Sequence, residues 1–306
     1  MKSGTVALLG RPNVGKSTLV NALVGQKVAI VSPRPQTTRH RIVGVLTEAR
    51  GQVVFFDLPG VHRPLHRMNA QMMHLLRETV AEVDVVVQIF DASQPPGHGE
   101  AFVVQLVRQL ASPVVLVANK LDLPASRRHL AERLAFYTQR HQYAAVVAVS
   151  ALSGENLERL VEHLFSLLPE GEPLLPSDVT TTQSERFFIA ELIREALLER
   201  VEAELPFTTA VWVRQVEEEE GQGDRPLLRV WADILVERES QKAIVVGRGG
   251  RMIRDVGKAA RERIERLLGV RAYLHLQVKA RPGWREKPHV LAELQPVEGV
   301  WDGGEG

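Results

Sequence analysis

Residues 10–17 read "GRPNVGKS". The stretch fits the pattern G-x-x-x-x-G-K-[ST], and its context decides the fold. Before it, "TVALLG" (5–10) reads as a buried strand; a helical stretch follows from Lys16. In a strand–loop–helix setting, the loop N–H groups and the helix N-terminus wrap a β-phosphate. Lys16 is then placed to reach the β- and γ-phosphates, and the Ser17 hydroxyl to bind Mg²⁺. Gly10, Asn13, Val14, Gly15 and Thr18 complete the predicted nucleotide contacts. A plain glycine turn is the blander reading, and the flanking strand and helix argue against it.

Outward from this loop, apolar runs alternate with helical stretches. "RIVGVLTEA", "GQVVFFDLPG", "DVVVQIFDA", "SPVVLVANKLD" and "AAVVAVSAL" all read as strands. Such alternation predicts a mostly parallel sheet covered on both faces, an α/β domain over 1–170. "PEGEPLLPSD" has the composition of a linker, assigned to 171–183. The second half reads αββααβ over 184–290, an α+β domain. It has a helix at 183–205 and strands "FTTAVWVRQVEEE" and "PLLRVWADILVER" around a "GQGDR" hairpin. Helices at 240–246 and 252–268 and a strand "RAYLHLQVKA" follow. The residues after Pro288 read as a frayed tail, assigned to 291–306.

The chain has 306 residues, 44% hydrophobic and 25% charged, with no cysteine. That excludes a disulfide framework and a thiolate metal site. The first strand begins almost at Met1, leaving no room for a leader. No apolar run reaches the ~20 residues that span a bilayer. A cytoplasmic protein is the expectation. The net charge of +1 hides a polarity: residues 238–287 hold fourteen Lys/Arg against five Asp/Glu, a local net of +9. Such a block fits a polyanion partner as well as it fits a solvated helix face.

Three further motifs sit at predicted strand ends, where open α/β sheets bind ligands. In "DLPG" (57–60), Asp57 can hold magnesium through water, and the Gly60 N–H can meet a γ-phosphate. In "NKLD" (119–122), the Asp122 carboxylate can accept from both N1–H and the exocyclic amine of guanine, a pair that adenine lacks. Asn119 belongs to the same loop, and Lys120 can lie over the base. "SAL" (Ser150, Ala151, Leu152) can support the base through its N–H groups. The residue after Gly60 is Val61, which cannot polarise an attacking water, so slow intrinsic GTP hydrolysis is expected. His62, His66 and His74 read as surface histidines rather than a metal cluster, since Pro64 interrupts helical spacing.

These motifs resemble the translation-factor-related class of P-loop GTPases. The resemblance implies a magnesium-binding threonine in "PQTTRHR", with Thr38 favoured and Thr37 its rival. It also implies a loop ordered only when the γ-phosphate is present. In relatives with "PNVGKS", an asparagine such as Asn13 helps bind potassium; a simple turn-capping role stands beside that reading.

A second glycine loop, "GRGG" (Gly247, Arg248, Gly249, Gly250), lacks the Lys-Ser of a P-loop. It resembles the loop of a type II KH domain, which joins two helices and clamps single-stranded RNA backbone. Arg248, Arg251 and Arg254 would neutralise phosphates, over a floor of Ile244, Ile253 and Val256. Lys279, Arg281, Trp284, Arg285 and Lys287 could extend those contacts. Trp212 and Trp231 read as core residues rather than stacking platforms.

The combination of "GRPNVGKSTLVNAL", "QTTRHRIVG", "DLPGVH", "NKLD", "ERFFIAELIRE", "GRGGRMI" and "ERLLG" resembles the Era family of bacterial ribosome-assembly GTPases. It covers nearly the whole chain. It implies GTP/GDP and Mg²⁺ as ligands and the 16S rRNA 3′ region and 30S subunit as partners. It also implies a monomer in partial peripheral association with the inner membrane. Lys16, Thr38 and Gly60 would carry hydrolysis, and the nucleotide state would set RNA binding through the linker. A passive RNA-binding module with a structural nucleotide site is the alternative.

Overall fold

The computed structural model describes residues 1–61, 67–220 and 225–294. His62, His66, most of the "GQGDR" loop and the tail from 295 lie outside the described residues. The chain divides into two compact units: Met1–Leu65 with Asn69–Thr182, and chiefly Gln183 onward.

The first unit contains β1 (Lys2–Leu9), α1 (Lys16–Val24), β2 (Ile42–Glu48), β3 (Gly51–Asp57), α2 (Arg67–Glu82) and β4 (Val85–Asp91). It continues with α3 (His98–Val107), β5 (Val114–Asn119), α4 (Pro124–Thr138), β6 (Ala145–Ala148) and α5 (Leu157–Leu167). Its sheet runs β2-β3-β1-β4-β5-β6, and only β2 is antiparallel to its neighbour. Because β3 and β4 flank β1, the strand order reverses there, opening a crevice at the carboxyl end of β1. Alternate β1 residues serve opposite faces. Val6 and Leu8 join Leu19 of α1 and Leu160 and Leu164 of α5. Ala7 and Leu9 join Met73 and Leu76 of α2 and Val103 and Val107 of α3. Burial on both faces is why these strands read as continuous apolar runs.

Thr180 and Thr181 run beside β2, and Leu175 reaches Gln52 of β3. Val45 N donates to Thr180 O (2.8 Å), and Thr181 Oγ1 donates to Val43 O (2.7 Å). Gln52 exchanges two bonds with the Leu175 backbone, at 2.8 and 2.9 Å.

The second unit contains α6 (Glu185–Leu198), α7 (Leu205–Thr208), β7 (Ala210–Glu219), β8 (Leu227–Val236) and α8 (Glu239–Val246). After a 3₁₀ turn over Arg248–Gly250 come α9 (Arg251–Leu268), β9 (Arg271–Ala280) and α10 (Pro288–Glu293). The sheet order is β7-β8-β9. β7 pairs with β8 antiparallel, and the α8–α9 crossover returns β9 parallel to β8. The helix expected over 183–205 is shorter. Ser184 caps its start by accepting from Phe187 N (3.3 Å). The segment after Leu198 breaks where Ala203 takes a φ of 53°, outside the helical range. The start of the expected frayed tail is corrected, though not the part from 295: Pro288 opens α10, whose Val290 and Leu291 are buried.

The pairing register sorts the sheet into two faces. Val213, Leu228, Val230, Ala232 and Ile234 form the face that packs under α6 and α9, each at most 3% exposed. Trp212 and Trp231 lie on the other face and are half-buried, so the expectation of core tryptophans is overturned. Alternation put both on one face, but the helices cover the opposite one.

Candidate functional sites

The P-loop joins β1 to α1. Lys16 is buried, and its Nζ donates to Arg11 O (3.1 Å) and Gly10 O (3.4 Å). Ser17 Oγ donates to Asp57 Oδ2 (2.5 Å) and lies 2.9 Å from Thr38 Oγ1, which reaches the same carboxylate oxygen at 3.3 Å. Thr37 Oγ1 instead donates to Arg34 O (2.6 Å). The structure therefore brings Thr38, not Thr37, to Ser17 and Asp57. Asp57 Oδ1 is buried with no hydrogen-bond partner among the described residues, an acceptor that suits a water on magnesium. Burial pushes the Lys16 ammonium pKa down and the Asp57 carboxyl pKa up, and each charge opposes the other's shift.

A cavity of about 350 Å³ opens over these groups, lined also by Asn13, Thr18, Gly60 and Lys120. Gly60 approaches the P-loop so closely that a Cβ there would lie 2.6 Å from Pro12 N. Val61 donates its N–H to Gly10 O (2.9 Å), and its side chain enters the core. The inward turn agrees with its having no role toward water. Asn13 Nδ2 donates to Pro33 O (2.8 Å), linking the P-loop to the segment that carries Thr38.

At the base end, Asn119 is buried and ties two loops together. Its Nδ2 donates to Val14 O (2.9 Å), and its Oδ1 accepts from Ala151 N (3.0 Å). Ser150 Oγ donates to Asp122 Oδ1 (2.6 Å), orienting an exposed carboxylate, and Leu152 is 78% exposed beside it. Lys120 Nζ pairs with Asp91 Oδ2 (2.7 Å). Asp91 is a positioning residue that the motif reading missed. It ends β4, and the β4–β5 register sets it opposite Asn119.

In the second unit, Gly247, Gly249 and Gly250 all take positive φ, and Gly250 N donates to Gly247 O (3.0 Å) to close the turn. Arg248, Arg251 and Arg254 are exposed around it. A cavity of about 670 Å³ runs along α9 and β9, lined by Ile253, Arg254, Gly257, Lys258, Arg261, Tyr273, Leu274, His275 and Leu276. Ile244 is 51% exposed, but Val256 is fully buried, so it belongs to the core and not to the floor. Lys258 and Arg261 were missed, although they follow Arg254 at helical spacing on one side of α9.

Lys279 and Arg281 are not among the lining residues. Lys279 Nζ meets buried Asp233 at 2.6 Å; Arg281 lies over Trp212 at 5.4 Å. Trp284 is fully buried and donates Nε1–H to Thr208 O (3.0 Å). Arg285 holds Glu237 through two bonds of 2.8 Å. These engagements rule out the expected extension by Trp284. Among the described residues, no group of three His, Cys, Asp or Glu side chains could hold a metal, and His74 pairs with Glu78 at 3.1 Å.

The model of the family described as "50S ribosome-binding GTPase" matches residues 5–120, and that of the KH domain matches 214–285. The chain is 43% identical over 291 residues to GTPase Era of Heliobacterium modesticaldum, covering 95% of this chain and 96% of that one. It belongs to the Era family of GTPases. A crystal structure of Era in complex with MgGDPNP and nucleotides 1506–1542 of 16S ribosomal RNA matches with a TM-score of 0.89 and 34% identity. It covers 96% of this chain and 98% of that one. A variant of Aquifex aeolicus Era bound to GDP and aluminium fluoride matches at 0.88, also 34% identical, over 96% and 99% of the two chains. An Era fold therefore spans both units, the P-loop sheet and the KH domain alike.

Proposed function

We propose that this Era-family chain hydrolyses GTP and binds the 3′ region of 16S rRNA through its KH groove during 30S subunit maturation, its grip on RNA set by the nucleotide. The observation that carries this reading is the convergence of Ser17, Thr38 and Asp57 beside buried Lys16, in a chain that also has an arginine-lined KH groove. The related Era bound to MgGDPNP and a 16S fragment supports the same pairing of ligands.

Each residue then has a role. Asp122, Asn119, Lys120 and the loop from Ser150 to Leu152 hold guanine. The P-loop amides and Lys16 take the β- and γ-phosphates, and Gly60 N–H donates to the γ-phosphate. Ser17 and Thr38 would hold magnesium, with Asp57 behind it through water; the ion would neutralise charge on the departing phosphoryl group. Lys16 and the amides do the rest by fixed electrostatics. Val61, the residue after Gly60, cannot orient water, so turnover alone is slow. Loss of the γ-phosphate removes the anchor of Thr38 and Gly60. Thr38 lies four residues before β2, and β2 is bonded to residues 180 and 181, which lead into the second unit. That chain path is our proposed route from nucleotide to RNA grip.

The test is the affinity of a 16S 3′-end oligonucleotide for the full chain loaded with a non-hydrolysable GTP analogue or GDP. The expected ratio is roughly 5- to 150-fold in favour of the analogue. Equal affinities remove the coupling, because a ligand without differential affinity shifts nothing. Gly249→Asp should weaken binding in both states, since it sets an anion where phosphate passes; an unchanged affinity would remove the groove from the account.

Asn13 is the residue through which potassium would act, its side chain already bonded to the Pro33 carbonyl. Hydrolysis is expected to run faster in potassium than in sodium buffer, and equal rates would leave Asn13 a cap. We place the protein in the cytoplasm as a monomer. Any association with the inner membrane would be peripheral: no helix among the described residues is long and apolar enough to cross a bilayer.

A further inference from the structure

The outer face of the second sheet carries an aromatic and basic patch. The register lines up Arg229 with Tyr273, Trp231 with His275, and Asp233 with Gln277 across β8 and β9. Tyr273 is 54% exposed, and Trp231 is half-buried beside it. The Arg229 guanidinium lies 5.6 Å from the Tyr273 ring centroid. Exposed Arg271 follows on the same face. The carboxylate of Asp233 is neutralised by Lys279 at 2.6 Å and Arg214 at 3.1 Å. Glu217 and Glu219 share the face, and Glu219 holds Arg229 at 2.8 Å. Both belong to β7, two strands and roughly 10 Å from β9.

This patch joins the groove. β9 ends the sheet, and Tyr273 and His275, which point to the outer face, also border the cavity along α9. A strand leaving the groove past β9 meets them next. An aromatic ring with cations around it suits a nucleobase and its phosphate, because every base offers a π-face. A KH groove clamps only about four nucleotides.

We infer that the outer sheet face is a second RNA subsite, in which a nucleotide flanking those in the groove stacks on Tyr273 and passes its phosphates to Arg229 and Arg271. The inference rests on the groove reading given above and extends it around the edge of β9.

The experiment compares a 6-nucleotide and a 14-nucleotide RNA of 16S 3′-end sequence on the full chain, each sharing the groove-binding segment. Tyr273→Ala should weaken the longer RNA roughly 5- to 150-fold, the range of one base–aromatic stack, and more than the shorter; Arg271→Ala, outside the groove lining, should weaken the longer RNA and leave the shorter within about twofold. Tyr273→Phe should restore the longer RNA. A 2-aminopurine in the flanking segment should be quenched on binding, and the quench should vanish in Tyr273→Ala. Gly249→Asp should weaken both lengths. If Gly249→Asp weakens both while Tyr273→Ala changes neither, the subsite is wrong and the groove stands. If Tyr273→Ala weakens both equally and Arg271→Ala changes neither, Tyr273 acts only in the groove and there is no second subsite. If Gly249→Asp changes neither length, the groove reading itself fails. Since Tyr273 is more than half exposed, the substitution should leave the fold intact, checked by an unchanged melting temperature.

Discussion

Asp122→Asn is expected to lower GTP affinity by roughly 10²- to 10⁴-fold, the loss of two hydrogen bonds to a charged acceptor. It should restore tight binding for xanthosine triphosphate. Xanthine carries a carbonyl where guanine has its exocyclic amine, so an asparagine amide can donate to it where the carboxylate could only repel. The effect should be confined to the base. Asp122 is exposed, and Ser150 Oγ can donate to the new amide oxygen as it does to Oδ1. Calorimetry with the two nucleotides in magnesium buffer measures both halves of the exchange. An unchanged GTP affinity would mean that guanine is read elsewhere.

Lys16→Ala should reduce single-turnover hydrolysis by at least about 10²- to 10³-fold, the usual consequence of deleting one preorganised donor at a developing charge. Here the loss should exceed that floor. Burial drives the Asp57 carboxyl toward protonation, and the Lys16 charge is the largest influence opposing it. Without the ammonium, Asp57 is less ionised and grips magnesium less well. The measurement is single-turnover hydrolysis over a magnesium titration. A higher magnesium requirement together with a lower plateau is the expected pattern. A lower plateau with no change in magnesium requirement would show that the two residues act separately.

Much of this was legible in the residues, for a reason that differs by site. The nucleotide motifs depend on chemistry at fixed spacing along one strand end, so Lys16, Ser17, Asp57 and Asp122 could be placed by inspection. The central strands were legible because burial on both faces removes alternation and leaves unbroken apolar runs, as in Val85–Asp91. Resemblance already favours Thr38 over Thr37, but residue chemistry alone could not separate them, because adjacent threonines differ only in direction. Asp91 was hidden because its partner lies on the next strand. The tryptophans show the limit of periodicity: a period of two says that residues share a face, while helix packing from elsewhere in the chain decides which face is covered. Lys258 and Arg261 were legible in principle, since helical spacing from Arg254 carries them to the same groove.

The segment beside β2 has one more effect. β2 forms the border of the first sheet, and such a border can template pairing with any extended peptide, another copy included. Thr180 and Thr181 take up part of that border with their own hydrogen bonds. Zippering of copies along it would first require this stretch to peel away. The connection between the two halves of the chain therefore also shields the protein from aggregating through its own sheet.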